Sequence, residues 1–349
     1  MFYDSKAITK VSKNFLPATS LADGCYCGMF WYCSALTESP TLPATSLTSY
    51  CYYNMFRDCT SLSEAPTLPA TSLVECCYWW MFGACTSLTE APVLPATSLG
   101  NGCYYYMFYG CTSLTEVPVL PATSLYNNCY RSMFSHCASL TKAPALPATS
   151  LAASCYYGMF YVCTSLTEAP ALPSTSLADY CYNSMFQDCT SLTEAPTLPA
   201  TSLANYCYTN MFYGCKNLSY INCNATTNIT TDNCNNWLDG VASYGTFYKN
   251  SSATWSTGAS GIPSDWNSIS LNNINSENNC IEIRLDGLND ATITFVSIST
   301  NHTLQYKDSE HNSWTTVSAG DTIILSYTSN PVVLLKGELS AANTTSNYT

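Results

Sequence analysis

Charge is scarce in this 349-residue chain, and positive charge most of all. Eleven Lys and Arg stand against 23 Asp and Glu, for a formal net charge of −12. Binding to a phosphate backbone depends on a basic stripe that displaces counterions, so nucleic acid is excluded as a partner, and an anionic membrane surface is disfavoured for the same reason. Histidine is nearly absent: His136, His302 and His311 stand far apart, with no Ser-, Cys- or carboxylate-rich motif beside them. There is no Gly-rich phosphate loop, no nucleophile elbow and no metal-ligand spacing. No enzyme, no catalytic residue, no metal and no cofactor are therefore expected. No apolar run approaches the roughly 18 residues of a membrane span, so direct membrane insertion is not expected. Phe2-Tyr3-Asp4-Ser5-Lys6 offers neither a basic n-region nor an apolar h-region. Met1-Phe2 instead matches Met29-Phe30 and Met55-Phe56, so the chain is expected to begin inside an array, which leaves room for a signal upstream.

What the chain has in abundance is repetition. Leu-Pro-Ala-Thr-Ser-Leu begins at Leu16, Leu42, Leu68, Leu94, Leu120, Leu146 and Leu198, and recurs as LPSTSL at Leu172, always 26 residues apart. A strict period of this size means a solenoid, in which each unit buries its apolar face only by stacking on its neighbours. The unit reads L-P-A-T-S-L-x-x-x-C-Y-x-x-M-F-x-x-C-x-S-L-T-E-A-P-x. Leu47, Cys51, Met55 and Cys59 fall four residues apart with Tyr52 and Phe56 beside them, which predicts a short amphipathic helix. Thr45 or Ser46 would cap it, and Ser72 with Glu75 or Ser176 with Asp179 has capping-box spacing. Two prolines in Leu62–Pro69 limit the other half of the unit to a short extended segment. The expected fold class is an α/β solenoid of short helix plus short strand.

Met55-Phe56-Arg57-Asp58-Cys59-Thr60-Ser61-Leu62 and its counterparts up to Leu218 carry a resemblance to leucine-rich repeats of the BspA-like kind. The resemblance covers residues 1–223. In the strand it departs from the family pattern, because Ala65-Pro66 stands where an aliphatic residue is expected; Leu218-Ser219-Tyr220-Ile221 restores it in the last unit. It implies a non-enzymatic binding scaffold of surface proteins. LPATS also has the look of a sortase signal, but eight copies with neither the required Gly nor a following apolar span make it structural.

Sixteen of the 21 cysteines fill two repeat positions, from Cys25 and Cys33 to Cys207 and Cys215. Eight residues of helix rise about 12 Å, and a disulfide needs Cα atoms within about 7 Å, so pairing inside a coil is excluded on this reading. Buried free thiols acting as small hydrophobes and disulfides between adjacent coils both remain open. A row of Glu38, Glu64, Glu90, Glu116, Lys142, Glu168 and Glu194 reads as a solvated edge, a calcium ladder being the sharper alternative.

The positions that vary from unit to unit lie opposite the apolar stripe. One reads Cys27, Tyr53, Trp79, Tyr105, Arg131, Tyr157, Asn183, Thr209; another reads Trp31, Arg57, Gly83, Tyr109, Ser135, Tyr161, Gln187, Tyr213; Trp80, Tyr106 and His136 lie beside them. Tyr, Trp, Ser, Gly and Asn with occasional Arg is the composition of a paratope rather than of a solvated face. The candidate ligand-binding residues are Trp31, Tyr53, Arg57, Trp79, Trp80, Tyr105, Tyr106, Tyr109, Arg131, Tyr157 and Tyr161, against neutral drift or packing on a neighbouring chain.

After Asn222 the pattern stops. Residues 224–267 are expected to form a C-terminal cap and linker, with Phe247, Trp255 and Trp266 closing the last coil. Residues 268–340 alternate as six short strands and are expected to form a β-sandwich, with 341–349 as linker or tail. The functional expectation is an extracellular or cell-surface adhesion protein that presents its variable aromatic face to a host or environmental protein or glycan. A virion receptor-binding component and a structural fibre subunit are the alternatives, and self-association or membership of a larger chain stays open.

Overall fold

The computed structural model describes residues 2–271 and, beyond them, the backbone of strands between 280 and 336. Two compact units result, Met1–Phe247 with Ala253–Ser268, and Tyr248–Ser252 with Ile269–Thr349. The first contains the repeats, stacked as successive coils. We number the coils by their Cys-to-Cys segments, from Cys25–Cys33 as coil one to Cys207–Cys215 as coil eight.

The expected helix is absent. Among the described residues the helical geometry is limited to one 3-10 turn at Lys13–Phe15, and each Cys-to-Cys segment is a run of overlapping β-turns. In coil four Cys103, Tyr105, Met107, Tyr109 and Cys111 donate their amides three residues back, to the carbonyls of Gly100, Gly102, Tyr104, Tyr106 and Phe108. The intervening amides of Gly102, Tyr104, Tyr106, Phe108 and Gly110 donate instead to Asn127, Cys129, Arg131, Met133 and Ser135 of the next coil, at 2.8–3.0 Å. Half of the backbone donors therefore bond within the turn and half bond along the stack, which an α-helix cannot do because its amides all point along its own axis.

Every fourth residue makes this possible. Gly24, Gly28 and Tyr32 in coil one, and the equivalent residues in all eight coils, have φ between +50° and +72°; Trp80 is at 57° and Val162 at 59°. A positive φ at the third residue is what a type II turn requires. The helical expectation failed because a four-residue apolar spacing serves both backbones. Over several steps the two differ, since a helix of 3.6 residues per turn drifts by about 40° every four residues, whereas Cys51, Met55 and Cys59 are all fully buried.

Inside the stack, identical residues form continuous rows. The Phe row from Phe2 to Phe212 stacks with centroids 5.5–5.9 Å apart and rings within 11° of parallel. A Tyr row from Tyr26 to Tyr208 runs beside it at 5.7–6.4 Å and continues into Trp237. The expected short strand shrinks to isolated parallel bridges such as Glu38 with Glu64, Ser72 with Ser98 and Glu90 with Glu116. Prolines at two positions of this edge leave too few amides for a longer ladder.

With no helix, the rise of about 12 Å between the two cysteines of a coil does not apply; the described cysteines are free thiols, and those of the second row have partners of their own. Cys59, Cys85, Cys111, Cys137, Cys163, Cys189 and Cys215 each donate the thiol to a Phe carbonyl of the preceding coil at 3.0–3.1 Å, and Cys51 donates to Thr48. Burial is the largest influence on these thiols and raises their pKa; Cys111, Cys163 and Cys215 are pushed up to about 12.

Beyond the repeats, β1 (Tyr220–Cys223), β2 (Thr246–Asn250) and β3 (Asn267–Leu271) form a sheet in that order. Trp255 stacks on Trp237 at 5.1 Å, Phe247 meets both edge-on, and Trp237 donates its indole N–H to Gly261 at 2.8 Å. Trp266 is buried and donates to Ala242. Six further strands follow: β4 (Cys280–Arg284), β5 (Ala291–Thr294), β6 (Leu304–Lys307), β7 (Thr315–Val317), β8 (Thr322–Leu325) and β9 (Val332–Lys336). They pair antiparallel as β4-β9-β6-β7 and β5-β8, each within a residue or two of its alternating sequence run. The tail expected at 341–349 lies outside the described residues.

Candidate binding face

The turn ribbon decides what each coil shows to solvent. With Cys, Tyr, Met and Phe turned inward at four-residue intervals, the residues between them, at the positions equivalent to 27, 28, 31 and 32, form the outer face, where large side chains stay half-buried and small ones such as Ser132, Ser135 and Ser184 are covered by them. All eleven sequence-predicted site residues lie there, half-buried, on coils one to six.

They touch one another in two rows that run along the stack. In the first, Tyr53 meets Trp79 edge-on at 5.3 Å, Trp79 stacks on Tyr105 at 5.0 Å, and the Arg131 guanidinium lies 5.4 Å from the Tyr105 ring and 4.0 Å from that of Tyr157. In the second, Arg57 bridges Trp31 at 5.1 Å and Trp80 at 4.1 Å, Trp80 packs on Tyr106 and Tyr109, and Tyr109 reaches Tyr161 through His136 at 4.8 and 5.1 Å. Tyr105 and Tyr106, 4.3 Å apart, join the rows. The structure thus brings together all of the predicted residues, and it changes their energetics: Trp79 and Trp80 are largely covered by their own neighbours rather than left in water.

Sequence reasoning missed Asp58 and gave His136 only a place among the neighbours. Asp58 accepts the Trp31 indole N–H at 3.1 Å and pairs with Arg57 at 3.3 Å; its adjacency to Arg57 at an outward position was the available signal. Burial lowers the His136 pKa, and Ser135 Oγ lies 2.9 Å from its Nδ1. Tyr105 is pushed up to about 12, chiefly by burial and then by its hydrogen bond with Tyr106, so at neutral pH it keeps its hydroxyl proton.

The other exposed side differs in kind. Thr19, Thr45, Thr71, Thr97, Thr123, Thr149, Thr175 and Thr201 are exposed, as is the Ser that follows each, and neither residue changes across the eight coils. Next to them Pro66, Pro69, Pro92, Val93 and Pro95 line a shallow apolar groove. The acidic row stands on this side too; among the described residues no three His, Cys, Asp or Glu side chains come together as metal ligands.

A coil with a constant interior, a constant exposed edge and a variable exposed face defines a repeat scaffold. A profile described as BspA type leucine rich repeat region matches in six copies, over residues 23–167 and 104–238. The chain belongs to this leucine-rich repeat family. No curated protein and no solved structure matches it.

Proposed function

We propose that the chain is a non-enzymatic binding protein of the cell surface or extracellular space, whose variable aromatic face engages a host or environmental protein or glycan. One contrast carries this reading. The Thr-Ser edge is exposed and constant in every coil, while the positions equivalent to 27, 28, 31 and 32, half-buried or buried in all but Cys27, Tyr32 and Tyr213, change in nearly every one. Drift follows exposure and would have altered the Thr-Ser edge before the more covered side. The variable side also draws on Tyr, Trp, Arg, Ser, Gly and Asn, which supply rigid contact area and adaptable hydrogen bonds. On the same reading, residues 224–267 cap the array, since Trp237, Trp255, Phe247 and Trp266 give the last coil something apolar to stack against, and the strands of 280–336 make an accessory β-sandwich.

The test is a screen of the intact chain against immobilised glycans and host extracellular proteins. A ligand should emerge whose binding is lost when Trp79, Tyr105 and Tyr109 are replaced together by Ala. Retention of all binding by that variant would overturn the assignment of the face.

A further inference from the structure

We propose that coil five holds a subsite for an acidic sugar, with Arg131 as the residue that receives its carboxylate or sulfate. The inference rests on the binding face described above and specifies what that face takes.

Charge is distributed unevenly along the stack. Residues 126–147, which make up coil five and its return edge, contain no Asp or Glu at all; Arg131 and Lys142 are their charged residues, Lys142 standing where the other coils of the row carry Glu. The outer face of coils four and six, with Asn101 just before coil four, adds Tyr105, Tyr106, Tyr109, Tyr157, Tyr161 and Val162 as its larger side chains, none of them acidic. On this face carboxylates return only at Glu75 and Asp58 on one side and at Asp179 and Asp188 on the other; Glu116 and Glu168 belong to the acidic edge, where Glu168 pairs with Lys142 at 3.2 Å. In a chain of net charge −12, this stretch of the face repels an anion less than the coils on either side of it.

The two arginines of the face differ. Arg57 is neutralised by Asp58 at 3.3 Å. Among the described residues no carboxylate pairs with Arg131. Its Nη1 makes a long 3.4 Å contact with Asn128 Oδ1, and its Nε is buried with no hydrogen-bond partner. Its plane is held between Tyr105 and Tyr157, so it is oriented before any ligand arrives. With Nε buried, a ligand meets this half-buried guanidinium from its Nη side, and terminal N–H donors held in one orientation suit the paired oxygens of a carboxylate or a sulfate. The ring faces along the row are occupied by neighbouring rings or by the guanidinium itself, which leaves ring edges, the positive part of the aromatic quadrupole, for the ligand.

Size favours a sugar over a protein. The Phe rings of coils four, five and six lie 5.6 and 5.9 Å apart, so the carboxylate-free patch is little over a nanometre long. A stable protein interface covers about 800 Å² per partner and would run onto the acidic coils at either end. One or two sugar units bearing a single acid fit within it.

The experiment compares sialyllactose, glucuronate-terminated and sulfated oligosaccharides with their uncharged parents, and with short Asp/Glu peptides, on the intact chain. At least one acidic saccharide should bind about tenfold more tightly than its parent. Arg131→Gln should abolish that preference, Arg131→Lys should retain part of it, and replacement of the exposed Lys216 at the far end of the array, Lys216→Gln, should leave it in place, all three keeping the thermal midpoint of the parent chain within a few degrees. Equal binding of acidic and neutral saccharides, an acid preference that survives Arg131→Gln, preference for the acidic peptides, or no acidic saccharide bound would each overturn the subsite. Neutral ligands that still require Trp79 and Tyr105 would leave the wider face intact while removing the subsite, so the two failures are distinguishable.

Discussion

Val162 is a β-branched residue at φ 59°, in a row that elsewhere holds Gly110 and Gly214. Left-handed backbone costs a side chain with a Cβ about 1–2 kcal/mol, more than the chain entropy that glycine adds to the unfolded state. Val162→Gly should therefore raise stability, by up to about 1 kcal/mol. In an α-helix the same change would lower it by a few tenths, so the sign of the shift in urea midpoint separates the two backbones. At this scale the sequence was partly legible. Gly28, Asn54, Ser132, Gly158, Ser184 and Asn210 share one repeat position, and Gly and Asn favour φ > 0 while Ala, Leu, Lys and Glu, the helix formers, are missing there. Trp80 and Tyr106 in the same row hid the signal, because they occupy the left-handed region only when neighbouring coils hold them there. The aromatic residues were legible as a row, but their mutual contacts were not, since those depend on stacking across coils. Trp79→Ala should consequently cost about 1 kcal/mol of stability through the lost Tyr105 contact, where a free-standing ring would cost almost none; thermal melts measure it.

The ladders set the behaviour of the elements. Phe108 is stacked on Phe82 and Phe134 and fully buried, so Phe108→Ala should cost about 3–5 kcal/mol. Phe15, exposed at the edge of the first coil, should cost far less. The cysteine rows make a pH prediction. From coil two onward both rows are buried; Cys111, Cys163 and Cys215, which donate to carbonyls, Cys155 and Cys207 of the other row, and Cys223 of β1 all have pKa values pushed up to about 12, chiefly by burial. The unfolded chain has thiols near 8.5. A pKa raised by folding contributes stability that is complete below the unfolded value and is lost as pH rises toward the folded one. The denaturation midpoint should be flat from pH 6 to 8 and fall steeply between about 9 and 12. A thiol reagent at pH 8 should modify exposed Cys27 in the native chain and leave Cys59, Cys85 and Cys111 unmodified until denaturant is added. Stability that persists unchanged to pH 11 would show that the thiols are not buried as donors.

For the whole molecule the period alone was enough to read stacking, because 26 residues between successive Leu-Pro-Ala/Ser-Thr-Ser-Leu segments leave no other way to bury Leu, Met and Phe. It could not reveal the path of the chain within a coil, which the apolar spacing left degenerate. On the proposed reading the stack divides its labour between a constant exposed edge and a variable, more covered face. The most direct measurement is a matched scan in which the intact chain carries Ala either at Tyr53, Trp79, Tyr105 and Tyr157 or at Thr45, Thr71, Thr97 and Thr149, with affinity for the ligand found in the screen and thermal midpoint both recorded. The account predicts that the aromatic set loses at least a hundredfold in affinity, about 3 kcal/mol, while the threonine set binds as before. Comparable losses from both sets, or a loss confined to the threonine set, would contradict it.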